Sequence, residues 1–182
     1  MPAQLTLILG GARSGKSDYA EKLAAQMGER VLYIATAEAR DEEMVARIEI
    51  HRQTRPARWQ TLEAPRNVGA ALASITEQPD ALLFDCMTLL VSNLVLDMEA
   101  DPPEAVEAAV QTEVKALLSA GQQLDVPLII VSNEVGLGLV PPYPLGRVYR
   151  DVLGRVNQTL AALADRVLFM VAGLPMTVKD NT

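Results

Sequence analysis

The sequence predicts an α/β fold with a mostly parallel sheet, because two kinds of segment alternate along it. Short apolar runs rich in β-branched residues alternate along the chain with longer segments of helical pattern. Strands separated by helices of this length imply βαβ crossovers, which build parallel sheets covered on both faces.

The 182 residues, 49% of them hydrophobic, suffice for one domain with a substantial core and are too few for two. We therefore predict a single domain over residues 1–182.

The predicted elements alternate in the order that such a fold requires. The strands are five apolar runs: Leu5–Leu9, Val31–Ile34, Ala81–Phe84, Leu128–Val131 and Val167–Val171. The helices are six segments with helical periodicity: Ser17–Met27, Asp41 to about Gln53, Asn67–Ile75, Met87–Leu96, Glu104–Leu118 and Leu145–Ala164. The acidic segment Asp97–Pro103 contains prolines and is predicted to be a surface connection.

The first predicted strand leads into a phosphate-binding sequence. Gly10-Gly11-Ala12-Arg13-Ser14-Gly15-Lys16-Ser17 has the form G-x-x-x-x-G-K-S and precedes a predicted helix. In such a loop the backbone N–H groups curl around a polyphosphate, and the helix N-terminus adds its positive end. Lys16 is placed to reach the β- and γ-phosphates, and Ser17 to ligate Mg²⁺. The segment therefore predicts a site for a nucleoside triphosphate.

Composition excludes several other classes of function. The net charge of −7 gives no general attraction to nucleic acid or to an anionic membrane. A single cysteine, Cys86, excludes an intrachain disulfide framework, which suits the cytoplasm. The N-terminal apolar run is too short for a signal peptide, and Asp85 interrupts the longest apolar stretch, Ala81 to Leu96. We expect a cytoplasmic protein with no membrane span and no nucleic-acid partner.

Polar residues follow several of the predicted strands. In an open parallel sheet the ligand lies beyond the carboxyl ends of the strands. Asp85 ends one apolar run and is placed to hold Mg²⁺ directly or through water, although a carboxylate there is also a common helix N-cap. Its neighbour Cys86 is interpreted as a small buried residue rather than a nucleophile.

His51 is the only histidine in the chain, so any imidazole chemistry must come from it. Arg47 precedes it by four residues, on the same face of the predicted helix, and Arg52 and Arg55 follow. Neighbouring cations disfavour the protonated imidazole, which leaves a neutral nucleophile. Guanidinium groups also bind triphosphate oxygens, so the cluster suits covalent capture of phosphorus on nitrogen. A surface helix with a solvated basic face is the alternative interpretation.

Glu134 has two possible roles, and the charged residues of the last long helix are interpreted as structural. Glu134, in the glycine-bearing segment after Val131, could act as a general base for a substrate hydroxyl or could brace its own loop. The charged residues on the last long helix are expected to form mutual ion pairs on a solvated face; these are Arg147, Arg150, Asp151 and Arg155.

Together these segments resemble the adenosylcobinamide kinase / adenosylcobinamide-phosphate guanylyltransferase family. The resemblance runs from Gly10 to about Asp165, and its most specific part is the phosphate loop combined with Arg-Ile-x-x-His-Arg at residues 47–52. Other matching positions are Tyr33–Ala37, Asp41–Met44, Arg55-Pro56, Trp59, Thr61, Glu63, Asp85-Cys86, Thr88-Leu89, Asn93-Leu94, Ser132–Gly136, Arg150-Asp151 and Asn157-Gln158.

The resemblance implies a P-loop NTPase (RecA-like) three-layer fold and a two-stage reaction. ATP or GTP phosphorylates the hydroxyl of the aminopropanol arm of adenosylcobinamide, with Mg²⁺ as the metal. GTP then guanylylates the histidine, here His51, with release of pyrophosphate. The GMP passes to adenosylcobinamide phosphate, which gives adenosyl-GDP-cobinamide. The family analogy also implies a homo-oligomer, a trimer.

The resemblance also assigns the remaining site residues. Ser17 and Asp85 would hold the metal. Nucleotide contacts are expected from Gly10, Gly11, Ala12, Arg13, Ser14, Gly15, Lys16, Ser17, Ala35, Thr36, Ala37, Arg52, Gln53, Thr54, Arg55, Glu63 and Asp85.

Two alternative functions follow from the same residues. A monofunctional P-loop small-molecule kinase would use the loop alone, with His51 in a structural role. A regulatory module would bind GTP and a protein partner without transferring any group.

Overall fold

A computed structural model describes residues 4–39, 42, 45, 49 and 55–181 of the chain. Among these residues lie seven strands in one sheet: β1 Leu5–Gly10, β2 Val31–Ala35, β3 Gln60–Glu63, β4 Ala81–Asp85, β5 Leu128–Val131, β6 Arg166–Val171 and β7 Leu174–Asp180. The helices with described bounds are α1 Lys16–Met27, α2 Val68–Ala73, α3 Met87–Asp97, α4 Pro103–Leu124 and α5 Pro144–Leu163.

The sheet has the order β3-β2-β4-β5-β1-β6-β7, and every neighbouring pair is parallel except β6 and β7. Because strands β1 to β6 pair in parallel, their six carboxyl ends meet at one edge of the sheet. The phosphate loop leaves β1 at this edge, and Asp85 ends β4 there. The predicted α/β fold with a mostly parallel sheet is confirmed.

The two faces of the sheet carry separate apolar clusters, because successive side chains along a strand point to opposite faces. One face packs against α2, α3, α4 and α5 through buried residues such as Leu82, Phe84 and Ile130. The other face, which includes Leu83 and Ile129, packs against α1. The result is a three-layer arrangement with helices on both sides of the sheet.

Strands β3 and β7 lie outside the predicted set. β3 is a four-residue edge strand, Gln-Thr-Leu-Glu, without a fully buried residue. β7 contains Pro175 and is exposed along almost its whole length. Edge strands pair on one side only, so neither shows the continuous apolar run of a buried parallel strand.

The described helices lie close to their predicted positions, with one wrong end. Helix α4 continues to Leu124 rather than ending at Leu118. Its last turns contain Gly121, where an added Cβ would lie 3.1 Å from Leu128 Cδ2. The small residue is there because the helix packs closely on β5, although in the sequence it resembles a stop signal. The predicted surface connection after α3 is exposed at Asp101 and Pro102.

Charged residues on α5 only partly follow the prediction. Arg150 pairs with Asp151, its immediate neighbour, at 3.1 Å. Arg155 instead pairs with Glu107 of α4 at 2.8 Å, and Arg147 donates to the carbonyl oxygens of Pro141 and Pro142. Adjacent elements thus provide partners that the pattern of a single helix does not show.

None of the described helices combines the length and the apolar character that a membrane span requires.

The contact between α2 and α4 gives a test of the packing. An added Cβ at Gly69 would lie 2.7 Å from Ala116 Cβ and 3.0 Å from the Ala116 carbonyl. We expect Gly69→Ala to lower the free energy of unfolding by about 1–3 kcal/mol, because α2 must move away from α4. Urea denaturation followed by circular dichroism measures the change.

Gly154 on α5 is the matched control, since an added Cβ there meets no atom within 4 Å. Gly154→Ala should raise the free energy of unfolding by about 0.4–1 kcal/mol, because alanine restricts the unfolded chain. Equal effects of the two substitutions would contradict the close contact at Gly69.

Candidate active site

The phosphate loop is folded tightly against β6 and the turn that follows it. A Cβ at Gly10 would lie 2.6 Å from Ser14 Oγ and 2.8 Å from the Met170 carbonyl oxygen. Gly15 has φ +88°, and a Cβ there would lie 3.2 Å from Gly173 Cα. The Gly173 N–H also donates to the Ser14 carbonyl at 3.0 Å. Both glycines are therefore required by close approach of the backbone.

Lys16 is the most buried charge of this loop, with 8% of its surface exposed. Its Nζ donates to the Gly11 carbonyl at 2.5 Å and lies 3.4 Å from Ser14 Oγ. Burial lowers the pKa of Lys16, and the negative charge of Asp85 opposes that shift. The ammonium group is thus held inside the curve of the loop, where a phosphate group would meet it.

The strand ends beside the loop are fastened by Thr36. Its Oγ1 accepts from the Cys86 N–H at 2.9 Å and donates to the Cys86 carbonyl at 2.8 Å. Asn93 Nδ2 donates to the carbonyls of Thr36, at 2.9 Å, and Pro65, at 3.1 Å. Thr36 is fully buried and Asn93 is 4% exposed. These bonds join the ends of β2 and β4 to helix α3.

A second polar network fastens the end of β5. Ser132 Oγ donates to Asn157 Oδ1 at 2.7 Å, and Asn157 Nδ2 donates to the Asn133 carbonyl at 3.0 Å. The Asn133 N–H donates to Thr88 Oγ1 at 2.8 Å. Glu134 Oε1 accepts a hydrogen bond from the Gly136 N–H at 2.5 Å. This contact corresponds to the second of the two roles considered for Glu134, in which it braces its own loop.

An ion-pair cluster holds the segment that follows β2. The Arg66 guanidinium bridges the carboxylates of Glu38 and Asp97, with its Nη2 2.8 Å from Asp97 Oδ1. These hydrogen bonds raise the pKa of Arg66 above its ordinary value. Glu38 is thereby tied to the end of α3.

Tyr33 contacts both Asp85 and Arg55. The Tyr33 hydroxyl donates to Asp85 Oδ2 at 2.9 Å. The Arg55 guanidinium carbon lies 3.4 Å from the centroid of the Tyr33 ring, which is a cation–π contact. Burial, and then the negative charge of Asp85, raises the pKa of Tyr33, so its hydroxyl remains a donor at physiological pH.

These elements enclose a cavity of about 760 Å³ at the carboxyl edge of the sheet. A cavity of this volume can accept a nucleotide. Its walls combine cationic, acidic and hydroxyl groups. The lining residues are Ala12, Arg13, Ser14, Gly15, Lys16, Ser17, Asp18, Tyr33, Ala35, Ala37, Ala39, Val45, Glu49, Arg55, Thr61, Glu63, Asp85, Cys86, Thr88, Leu89, Val131 and Asn133.

Most of the described site residues that the sequence predicts line this cavity. Gly10, Gly11 and Thr36 do not, since the first two lie at the base of the loop and the third is buried behind the wall. The predicted residues His51, Arg52, Gln53 and Thr54 lie outside the described residues. The sequence indicates no separate role for Tyr33, because Tyr33 reads as one apolar position in a strand. It indicates none for Asn133, which follows β5.

Comparison with known proteins places the chain among close relatives. A model of the family described as cobinamide kinase / cobinamide phosphate guanyltransferase matches residues 6–178. The chain is 50% identical to the bifunctional adenosylcobalamin biosynthesis protein CobP of Pseudomonas aeruginosa, over 96% of this chain and 97% of that protein. It is 42% identical to the bifunctional adenosylcobalamin biosynthesis protein CobU of Salmonella typhimurium, over 96% of this chain and 99% of that protein.

A search of solved structures supports the fold. The RadB recombinase superposes with a TM-score of 0.51 at 16% identity, over 92% of this chain and 74% of that one. At this identity the similarity concerns the fold alone. It agrees with a RecA-like P-loop architecture.

Cys86 gives a test of the electrostatics of the cavity. Burial, with the negative charge of Asp85 next, raises the pKa of the Cys86 thiol to about 12. A raised pKa keeps the thiol protonated, so we expect alkylation by iodoacetamide at pH 8 to be on the order of a thousandfold slower than in the unfolded chain. The rate should rise about tenfold per pH unit between pH 7 and 10, as thiolate forms.

Mass spectrometry of the intact chain measures this rate without ambiguity, because Cys86 is the only cysteine. The same protein in concentrated urea is the control, and it should react at the rate of an ordinary thiol. A folded-state rate that levels off below pH 9 would contradict the raised pKa of this partly buried thiol.

Proposed function

The chain belongs to the cobinamide kinase / cobinamide phosphate guanyltransferase family, and we propose that the cavity at its phosphate loop binds the nucleotide for both reactions. The enzyme phosphorylates cobinamide and transfers a guanylyl group to cobinamide phosphate. In the finer form of the proposal, the acceptors are adenosylcobinamide and its phosphate, and His51 carries the GMP between the two substrates. The final product is adenosyl-GDP-cobinamide.

The kinase step uses the phosphate loop. The hydroxyl of the aminopropanol arm attacks the γ-phosphorus of ATP or GTP, and its proton passes to solvent. The bond to the β–γ bridging oxygen breaks, and ADP or GDP leaves. Backbone N–H groups of residues 10–17 bind the phosphate oxygens, and Lys16 neutralises charge that develops on them. Its position inside the loop supports this role.

The guanylyl step uses His51. A neutral imidazole nitrogen attacks the α-phosphorus of GTP, and the bond to the α–β bridging oxygen breaks as pyrophosphate leaves. A phosphate oxygen of adenosylcobinamide phosphate then attacks the same phosphorus, and the N–P bond breaks. His51 is thereby restored for the next cycle.

The position of the chain on both sides of His51 carries this proposal. Val45 and Glu49 line the cavity, and so does Arg55, four residues after His51. In the sequence, His51 comes two residues after Glu49, so the chain on either side of it is at the cavity. This supports an imidazole at the same cavity as the phosphate loop.

Ser17 and Asp85 are the residues that we propose to hold Mg²⁺. Both line the cavity, and a hydroxyl and a carboxylate are the oxygen donors that this ion prefers. Asp85 accepts the Tyr33 hydrogen bond through Oδ2, and its other oxygen has lone pairs for the metal or a metal-bound water. When bound, Mg²⁺ would neutralise phosphate charge in both transfers.

We also propose a homo-oligomer in the cytoplasm, where both nucleotides are available. By family analogy the assembly is a trimer. Strand β7 supports a contact between copies, since it is an edge strand with apolar side chains exposed to 71% at Leu174, 54% at Met176 and 62% at Val178.

The proposal is tested by labelling the enzyme. Incubation with GTP labelled at the α-phosphate should leave label on the wild-type chain, and acid should release it, because an N–P bond hydrolyses in acid. His51→Ala should retain none, since the chain has no other histidine. Filter binding after denaturation measures the label.

Two further variants make the result specific. Lys16→Ala should abolish γ-phosphate transfer to cobinamide and reduce the labelling, because both reactions use one cavity. Arg58→Ala is the control, since Arg58 pairs with Glu29 on the surface and should label normally. Equal labelling of wild type and His51→Ala would contradict the proposal. Transfer of γ-phosphate without any α-label would indicate the monofunctional kinase.

A further inference from the structure

Tyr33 connects the apolar core to the cavity. It lies in the middle of β2, paired with Thr61 on β3 and Leu83 on β4, and only 3% of its surface is exposed. Its ring belongs to the apolar cluster on the α1 face of the sheet. A side chain fixed on both sides by parallel strands can hold the groups that touch it in one geometry.

The hydroxyl of Tyr33 contacts one functional group, the Asp85 carboxylate. The bond runs from the hydroxyl to Oδ2 at 2.9 Å, and Asp85 is the residue proposed to hold the metal. A neutral donor fixes the orientation of the carboxylate without cancelling its charge. A cationic partner in the same place would compete with Mg²⁺.

The ring of Tyr33 contacts a second functional group, the Arg55 guanidinium. The guanidinium carbon lies 3.4 Å from the ring centroid, and Nη1 lies 3.4 Å from Thr61 Oγ1. Arg55 Nε is buried, and no residue that the structure describes accepts a hydrogen bond from it. The guanidinium is thus held over the face of the ring, and its Nε keeps a donor for an anion in the cavity.

We propose that Tyr33 is a positioning residue that holds the metal-binding carboxylate of Asp85 and the phosphate-binding guanidinium of Arg55 as one unit facing the phosphate loop. This inference rests on the proposed nucleotide site. The hydroxyl orients the group that binds nucleotide through Mg²⁺. The ring orients a group that binds nucleotide directly.

The two contacts can be separated by substitution. Tyr33→Phe keeps the ring under Arg55 and removes the hydrogen bond to Asp85. Tyr33→Leu removes both contacts. Asp85→Asn leaves Tyr33 in place and removes the charge of the carboxylate.

The experiment measures binding rather than turnover. The probe is the α,β-methylene analogue of GTP, whose bridge cannot be cleaved by attack on the α-phosphorus. Its dissociation constant is measured by calorimetry, once with Mg²⁺ and once with EDTA. Tyr149→Phe is the matched control, because Tyr149 is a partly buried tyrosine on α5 that does not line the cavity.

We expect Tyr33→Phe to weaken binding roughly tenfold with Mg²⁺ and to leave it unchanged with EDTA, since a hydrogen bond to a charged group is lost. Tyr33→Leu should weaken binding about three- to tenfold with EDTA as well, because Arg55 loses its platform. Adding Tyr33→Phe to Asp85→Asn should cost little beyond Asp85→Asn alone, since both act through one carboxylate. Tyr149→Phe should match the wild type.

An equal loss with Mg²⁺ and with EDTA in Tyr33→Phe would overturn the role of the hydroxyl, as would a fully additive double variant. Equal binding by Tyr33→Phe and Tyr33→Leu in EDTA would overturn the role of the ring. These results do not depend on guanylylation of His51. If the proposed function is wrong, the wild-type chain will not retain the α-label. If only this inference is wrong, the label will remain, and the effect of Tyr33→Phe on analogue binding will not depend on Mg²⁺.

Discussion

The site depends on how closely the phosphate loop packs against the β6–β7 hairpin. Gly10 approaches the Met170 carbonyl and Gly15 approaches Gly173 so closely that a Cβ at either position would clash or strain the backbone. The hydrogen bond from Gly173 to Ser14 fastens the loop to the turn of the hairpin. Because the loop is fixed in this way, its backbone is already held in one conformation before any nucleotide arrives, which reduces the cost of ordering it on binding.

The remaining walls of the cavity are held by buried side chains that bond to backbone. Thr36 and Asn93 fix the ends of β2 and β4, and Ser132 and Asn157 fix the end of β5. Buried polar groups with satisfied partners rigidify the structure around them, and an unsatisfied partner is costly. Such networks suit the proposed function, in which one cavity would orient a triphosphate for attack at two different phosphorus atoms.

The sequence predicts the parts of this structure that have local signals. The phosphate loop is visible because glycine, lysine and serine recur at fixed spacing after a strand, and Asp85 because it ends an apolar run. Tyr33 has no such signal, since its neighbours on β3 and β4 come from distant parts of the chain. Strand β7 is missed for a related reason, because it pairs only with β6 and has an exposed surface. Thr36, which is expected at the nucleotide, is buried and hydrogen-bonded to Cys86, and its contact with a nucleotide stays a prediction.

In the proposed function, one nucleotide site serves both transfers. The most direct test is the number of nucleotides bound per chain when the α,β-methylene analogue of GTP and the β,γ-imido analogue of ATP are present together with Mg²⁺, measured by equilibrium dialysis with two labels. With a single shared site, we expect a total of one nucleotide per chain at saturation, with any bound ATP analogue displacing the GTP analogue. Two nucleotides bound at the same time on each chain would contradict it.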